Sequence, residues 1–277
     1  MEKVKVYRNI VKLKNIDMFY LDTKTEGPVI LCLHGRWGRA ETWSDFIRHY
    51  GKQYRIIAPD QRGHGLSSKP ISKYTAEEMA GDIVELLDAL NITSAILVGH
   101  SMGGRIAGYL TSLYPGRVKA LAILDKSASG PAGPNLLPLD RIPAVDPLTE
   151  AWPLPFSNLS EASAFIRQAL ESELSLQYFM SSLVETVEGY SMLFSSQAMA
   201  ANIAYEESWF HLLPAIKCPV LLLRAKGNDA VSDEAFAKMQ SLIPDCLARE
   251  VDHPDHNVHL ASKEEFYRYF DEFLAVI

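Results

Sequence analysis

The chain of 277 residues has 27 basic and 34 acidic side chains, a net charge of −7, and 48% hydrophobic residues. This composition is typical of a folded globular protein and excludes intrinsic disorder, collagen and a continuous coiled coil. The length predicts one large domain, or a core that carries an insertion. No stretch approaches the roughly 18 continuous apolar residues of a membrane span, and the first residues lack the pattern of a signal peptide.

The cysteines favour an intracellular setting. Cys32, Cys218 and Cys246 are odd in number and widely spaced. We interpret them as free thiols in a reducing environment, and we expect a cytoplasmic protein.

The negative charge is concentrated in one segment. Residues 126–214 contain three basic and ten acidic side chains, which accounts for the whole net charge of −7. Seven of the 15 prolines also lie here, between Pro131 and Pro155. Because binding to nucleic acid needs a basic surface, we expect no nucleic-acid partner. The distinct composition predicts that residues 126–214 form an inserted unit.

Outside this segment, short apolar runs alternate with helical patterns. The predicted strands are Val4–Leu13, Ile16–Leu21, Val29–Leu33, Arg55–Ala58, Ala95–Val98, Ala120–Leu124, Val220–Leu223 and Leu247–Val251. The predicted helices are Glu41–His49, Ala76–Leu90, Ser101–Tyr114, Asp233–Leu242 and Lys263–Ala275. This alternation predicts a mostly parallel sheet flanked by helices. Within residues 126–214 the pattern predicts a Pro-rich loop followed by helices at Ser160–Ser172 and Leu174–Val187.

The strongest chemical motif is the run GHSMG at residues 99–103, between a predicted strand and a predicted helix. In this setting the glycines allow a tight turn that exposes the hydroxyl of Ser101 above the carboxyl edge of the sheet. The N-terminus of the following helix favours developing negative charge. The motif therefore predicts that Ser101 is a nucleophile, and the alternative is a Gly-rich turn with an incidental serine.

A serine nucleophile needs a general base and a carboxylate that orients the base. For the carboxylate we favour Asp229, because it lies in a turn after the penultimate strand and follows the order Ser, Asp, His. The alternative is Asp125, which ends the strand Ala120–Leu124.

Three histidines follow the last predicted strand, and one of them is the expected base. We favour His256, which lies immediately before the final helix. We interpret His253 and His259 as solvated or structural side chains.

Acyl transfer also needs N–H groups that stabilise an oxyanion. The expected donors are the backbone N–H groups of Met102 and of Arg36, the latter in the loop HGRWG at residues 34–38. We expect His34 to brace this loop through hydrogen bonds. The side chains of Arg36 and Trp37 are candidate substrate contacts: a guanidinium suits a substrate carboxylate. The alternative is that the Arg36 side chain faces solvent or a carboxylate of the insertion.

Together these residues resemble the α/β-hydrolase superfamily, in particular its capped serine hydrolases. The matching motifs are HG at residues 34–35, DQRGHGLS at 60–67, GHSMGG at 99–104, and the turns around Asp229 and His256. The resemblance implies a core of residues 1–125 and 215–277 with a mostly parallel eight-stranded sheet. It also implies a helical lid at residues 126–214, after the sixth strand, and no metal or organic cofactor.

The resemblance excludes some reactions of this superfamily but does not identify a single one. Epoxide hydrolases and haloalkane dehalogenases of this fold use an aspartate nucleophile, whereas residue 101 is serine. We expect a serine hydrolase, most simply a carboxylesterase, that acts on a small-molecule ester through an acyl-enzyme, as a monomer or homodimer. The alternatives are a C–C bond or amide hydrolase with the same triad, and a non-catalytic small-molecule receptor on this fold.

Overall fold

The computed structural model describes residues 3–131, 137–170 and 172–277. The strands in this part of the chain are β1 (Tyr7–Lys12), β2 (Asp17–Asp22), β3 (Val29–Leu33), β4 (Arg55–Pro59), β5 (Ala95–His100), β6 (Val118–Leu124), β7 (Leu183–Thr186), β8 (Gly189–Met192), β9 (Val220–Ala225) and β10 (Cys246–Val251). The α-helices are α1 (Ser44–Tyr50), α2 (Ala76–Ala89), α3 (Met102–Leu113), α4 (Leu159–Leu170), α5 (Glu173–Met180), α6 (Ser196–Ala204), α7 (Asp233–Leu242), α8 (Val258–Ala261) and α9 (Lys263–Leu274).

The central sheet has eight strands in the order β1, β2, β4, β3, β5, β6, β9, β10. β2 pairs antiparallel with β1 and with β4, and every other neighbouring pair is parallel. Each residue of β5 is buried, as expected for a continuous apolar strand covered on both faces. The predicted mostly parallel sheet is confirmed. Six strands of this sheet run in the same direction, namely β4, β3, β5, β6, β9 and β10. The loops after β3, β5, β6, β9 and β10 therefore meet along one edge.

The two faces of the sheet carry separate hydrophobic cores. Side chains alternate between faces along a strand, so Leu31 packs on one side and Cys32 on the other. α2, α3 and α7 cover the first face, together with residues of the segment 126–214. α1 and α9 cover the second face, where Phe46, Phe266 and Phe270 are buried.

The segment 126–214, here called the insertion, connects β6 to β9 and contains α4, α5, β7, β8 and α6. The predicted helix Leu174–Val187 is wrong in its second half, because α5 ends at Met180 and β7 and β8 form an antiparallel hairpin. Valine and threonine in this stretch favour a strand, and Gly189 adopts φ +134°, a conformation suited to glycine. Residues 132–136 of the predicted Pro-rich loop, and Glu171 in the predicted helix Ser160–Ser172, lie outside the described residues.

Two further expectations concern the whole chain. Cys32, Cys218 and Cys246 are free cysteines, as expected. Across the described ranges, no helix has the length and apolar character needed to cross a membrane.

The helix that follows Ser101 also packs against the end of the insertion. A Cβ added at Gly108 in α3 would lie 2.5 Å from Cζ3 of the buried Trp209. By contrast, a Cβ at Gly81 in α2 would meet nothing within 4 Å. The first glycine is therefore required for close packing, whereas the second is not.

We predict opposite effects for two glycine-to-alanine substitutions. Gly108→Ala should lower the free energy of unfolding by about 1–3 kcal/mol through overpacking against Trp209. Gly81→Ala, the matched control, should raise it by about 0.5–1 kcal/mol because alanine favours the helix. Urea unfolding at equilibrium measures both values. Equal effects of the two substitutions would contradict the packing argument.

Several histidines are part of the core. His34, His64, His100 and His259 are all buried. His259 stacks on Trp43 with ring centroids 4.7 Å apart, and neither of its ring nitrogens has a hydrogen-bond partner among the described residues. Burial lowers the pKa of His259 well below its ordinary value of 6.5.

This burial predicts a loss of stability in mild acid. Below pH 6.5 the unfolded chain takes up a proton at residue 259 and the folded chain does not, so folding becomes less favourable as the pH falls. At pH 5.5 the difference amounts to about 1.4 kcal/mol for one such histidine. Between pH 7.5 and 5.5, His259→Phe should reduce the decline in the free energy of unfolding by that amount, as measured by unfolding in urea. His211→Phe, at an exposed position, should leave the decline as in the wild type.

Candidate active site

Ser101 occupies a strained turn between β5 and α3. Its φ is +51° and its ψ is −119°, a region that residues with a side chain rarely adopt. The turn is fixed by hydrogen bonds from Ser101 N–H to the Leu124 carbonyl and from Gly104 N–H to the Ser101 carbonyl, each 2.9 Å. A Cβ at Gly103 would lie 2.2 Å from the Leu33 carbonyl oxygen, so this position requires glycine. These contacts place Ser101 at the carboxyl edge of the sheet, as predicted.

The carboxylate that contacts His256 is Asp125. Its Oδ2 accepts a hydrogen bond from His256 Nδ1 at 2.7 Å. Asp125 is fully buried, and its other contacts are the Ala225 N–H at 2.8 Å and the Asn228 side-chain amide at 3.0 Å. These donors compensate for the burial of the carboxylate. Asp125 therefore has the position that a triad carboxylate requires.

The expectation that Asp229 orients His256 is corrected by this geometry. Asp229 is exposed, while the preceding residue, Asn228, points inward and donates to both Asp125 and the Pro254 carbonyl. The predicted turn is present, with φ +91° at Gly227. Turn chemistry identified the loop but did not determine which of its side chains faces the site.

The loop that carries His256 is held from two sides. The His256 carbonyl accepts a hydrogen bond from His100 Nε2 at 2.9 Å. Burial, followed by the charge of His256, lowers the pKa of His100 to about 3, so His100 is neutral near pH 7. On the other side, Asp255 accepts hydrogen bonds from Asn257 N–H and from the Ser172 hydroxyl of the insertion, each 2.8 Å. Apart from the position of His100 beside Ser101, no pattern in the sequence indicates these supporting roles.

Within the described part of the chain, no hydrogen bond of 3.5 Å or less joins the Ser101 hydroxyl to His256. The contact between nucleophile and base is often long in a free enzyme and shortens when substrate binds. The His256 side chain is 41% exposed, so its ring is accessible on the side away from Asp125.

The loop after β3, residues 34–38, carries the expected oxyanion donor Arg36 and is here called the oxyanion loop. Gly38 N–H donates to the Gly35 carbonyl at 3.1 Å, which closes a tight turn. His34 braces it as expected: Gln61 N–H donates to His34 Nε2 at 3.0 Å, and the Gln61 side chain donates to the His34 carbonyl at 2.7 Å. Neither Arg36 N–H nor Met102 N–H donates to another residue that the structure describes, which leaves both for a ligand.

The insertion packs directly on this loop. Trp37 Nε1 donates to the Asp146 carboxylate at 3.1 Å, and the Ser182 hydroxyl donates to the Trp37 carbonyl at 2.6 Å. The buried Tyr178 hydroxyl lies 3.1 Å from the position that a Cβ on Gly35 would occupy. The candidate substrate contact Trp37 is thus engaged by the insertion.

Arg36 is engaged in the same way. Its guanidinium donates to Asn202 Oδ1 at 3.1 Å and to Glu206 Oε2 at 3.2 Å, both in the insertion. This agrees with the alternative in which Arg36 pairs with a carboxylate of the insertion. Burial opposes the ionisation of Glu206, but Lys126, Arg105 and Arg36 outweigh it and lower its pKa to about 2.

Comparisons with known proteins agree with this architecture. A family model described as alpha/beta hydrolase fold matches residues 28–262. The chain is 30% identical over 247 residues to the 2-(acetamidomethylene)succinate hydrolase of Mesorhizobium japonicum, which covers 87% of this chain and 86% of that protein. It is 26% identical over 249 residues to esterase YbfF of Escherichia coli, which covers 89% of this chain and 92% of that protein.

Structural similarity extends over the full length. The crystal structure of E-2-(acetamidomethylene)succinate hydrolase matches with a TM-score of 0.84 and 26% identity, over 98% of this chain and 100% of that one. Together with the eight-stranded sheet and the turn at Ser101, these matches show that the chain belongs to the alpha/beta hydrolase fold family.

Proposed function

We propose that the protein is a serine hydrolase that cleaves a small-molecule carboxylic ester through a covalent acyl-enzyme. The observation that carries this proposal is the 2.7 Å hydrogen bond between Asp125 and His256, at the sheet edge where Ser101 occupies its strained turn. In this assignment Ser101 is the nucleophile, His256 the general base and Asp125 the orienting carboxylate.

The hydrogen bond to Asp125 sets the chemistry of the imidazole. Because the carboxylate accepts, His256 Nδ1 carries the hydrogen, and Nε2 keeps a lone pair for the Ser101 proton. When that proton is transferred, the negative charge of Asp125 stabilises the imidazolium. The buried position of Asp125 strengthens this interaction, because little water screens it.

The proposed reaction has two halves. Ser101 Oγ attacks the ester carbonyl carbon as His256 takes its proton, and the backbone N–H groups of Arg36 and Met102 stabilise the tetrahedral oxyanion. His256 then protonates the leaving alcohol, which leaves an acyl group on Ser101. In the second half, water attacks this ester, gives its proton to His256 and releases the carboxylic acid. Ser101 recovers its proton from His256.

We propose that the insertion is a lid over this site. Its contacts with the oxyanion loop through Trp37, and with the His256 loop through Ser172 and Asp255, support this role. A cover at this position excludes water and shapes the substrate pocket.

A second candidate is hydrolysis of an amide with the same triad. The observation that favours it is the 30% identity to an enzyme named for 2-(acetamidomethylene)succinate, a substrate with an acetamido group. 4-Nitrophenyl butyrate and 4-nitrobutyranilide share an acyl group and differ in the scissile bond. A preference for the anilide, or equal kcat/KM for both, would favour the amidase.

We predict that the proposed function depends on the nucleophile and the base. Ser101→Ala and His256→Ala should each lower kcat/KM for 4-nitrophenyl butyrate by on the order of 10³-fold or more. Release of 4-nitrophenol measures the rate, and thermal unfolding checks that both variants fold. Wild-type turnover that survives in both folded variants would refute the serine mechanism.

A further prediction separates the two candidate carboxylates. Asp125→Asn should reduce kcat/KM by on the order of 10³- to 10⁴-fold, because an amide at this position disfavours the productive imidazole tautomer. Asp229→Asn, the matched control on an exposed side chain, should stay within about twofold of the wild type, as expected for a residue outside hydrogen-bond reach of the base. The same assay applies to both. A larger loss in Asp229→Asn than in Asp125→Asn would restore the assignment made from the sequence.

A further inference from the structure

Three cationic side chains meet at the boundary between the core and the insertion. Arg36, Arg105 and Lys126 all contact the carboxylate of Glu206; Arg36 Nη2 lies 3.2 Å from Oε2, and Arg105 Nη1 lies 3.5 Å from Oε1. Each cation is close in sequence to the proposed catalytic residues. Arg36 is in the oxyanion loop, Lys126 follows the triad aspartate directly, and Arg105 lies one helical turn after the nucleophile.

Positive charge exceeds negative charge in the cluster formed by these three cations and Glu206. Glu206 is the partly buried carboxylate that the three cations share. The next residue, Glu207, is exposed and accepts a hydrogen bond from Tyr109 at 3.3 Å. A buried cation without a full set of partners is unfavourable for folding. The excess charge therefore suggests a role in binding.

The hydrogen bonds of Arg105 show which part of the cluster lacks a partner. Only 2% of Arg105 is exposed, and neither Nε nor Nη2 has a hydrogen-bond partner among the described residues. Nε and Nη2 form the edge of a guanidinium that binds a carboxylate through two parallel bonds. Elsewhere in this protein, Arg55 uses that edge to bind Asp22 at 3.0 and 2.7 Å, and Arg62 uses it to bind Asp82.

We propose that this edge of Arg105 binds a carboxylate of the substrate, so that the enzyme acts on acyl compounds that carry a separate acidic group. The proposal rests on the proposed function, in which Ser101 is the nucleophile. Helix residues four apart lie on the same face, and side chains lean toward the N-terminus of their helix. The Arg105 side chain therefore extends toward the N-terminal end of α3, where Ser101 lies, and the proposal places the substrate carboxylate on this side of the helix.

The acidic insertion does not oppose this assignment. Its remaining negative charge is carried largely by solvent-exposed glutamates, whose repulsion of an anion is screened by salt. These are Glu150, Glu161, Glu173, Glu185 and Glu188. The cluster around Arg105 is buried, so its attraction acts at short range with less screening.

The test separates binding from catalysis by using the Ser101→Ala protein. Methyl hydrogen glutarate and methyl pentanoate have similar length, and only the first has a carboxylate. In ligand titrations followed by NMR, we expect the anion to bind on the order of tenfold to a hundredfold more tightly, the range for hydrogen bonds to a charged group. Adding Arg105→Met should remove the difference. Equal affinities, or a difference that Arg105→Met leaves intact, would overturn the proposal.

Further variants distinguish a specific loss of binding from a loss of folding. Arg105→Lys keeps the charge but not the planar fork, so it should retain only part of the preference for the anion. Glu206→Gln removes the shared carboxylate and should strengthen binding of the anion while leaving methyl pentanoate unaffected. Arg117→Met, a matched change at a distant surface pair with Asp88, should alter neither ligand. A weaker preference in Glu206→Gln than in the parent would also count against the proposal.

The titrations that test binding by Arg105 do not depend on whether Ser101 catalyses hydrolysis. If the wild type hydrolyses neither methyl ester nor the 4-nitrophenyl esters, the proposed function fails, while the titrations still decide whether Arg105 binds a carboxylate. If the wild type hydrolyses the neutral ester and the titrations show no preference, the hydrolase assignment stands and the inference about Arg105 fails.

Discussion

The hydrogen bond between His256 and Asp125 is the contact on which the site depends, because it joins loops from two strands that are not neighbours. Asp125 follows β6 and His256 follows β10, and β9 lies between these strands in the sheet. The bond forms because the parallel strands end at the same edge, and because Asn228, from the loop after β9, fills the space between and donates to the same carboxylate. The sheet order therefore determines which side chains meet at the site.

Three of the six residues other than glycine that adopt a positive φ in the described part of the chain lie at the same edge. Ser101, Asp125 and Trp37 all have positive φ values, at +51°, +47° and +65°. Such conformations cost on the order of 1–3 kcal/mol each and persist only where the surrounding structure holds them. Here the constraint is close backbone packing: Gly103 lies against the Leu33 carbonyl. The stability of the core thus maintains a geometry that the local sequence alone would not adopt.

The sequence was sufficient to predict strands and turns where one physical signal dominated. Continuous apolar runs identified the buried strands, and glycines around Ser101 identified the turn that exposes it. The sequence favoured Asp229, whereas His256 contacts Asp125 in the structure. The reason is that Gly227 and Asn228 predict a turn but not the direction of each side chain within it. The better signal was the position of Asp125 directly after a strand that is buried along most of its length. Glu206 and Arg105 are about a hundred residues apart, so their contact leaves no pattern in local spacing.

The attachment of the insertion has a consequence for how such proteins diversify. Its side chains bind Trp37 and Arg36 in the loop after β3, and Glu206 contacts Arg105 in α3. An exchange of residues 126–214 between relatives would separate these partners and leave buried charges uncompensated. In evolution and in recombination experiments, the insertion is therefore not an independent module. It has to be inherited together with a few residues of the core that lie far from it in the sequence.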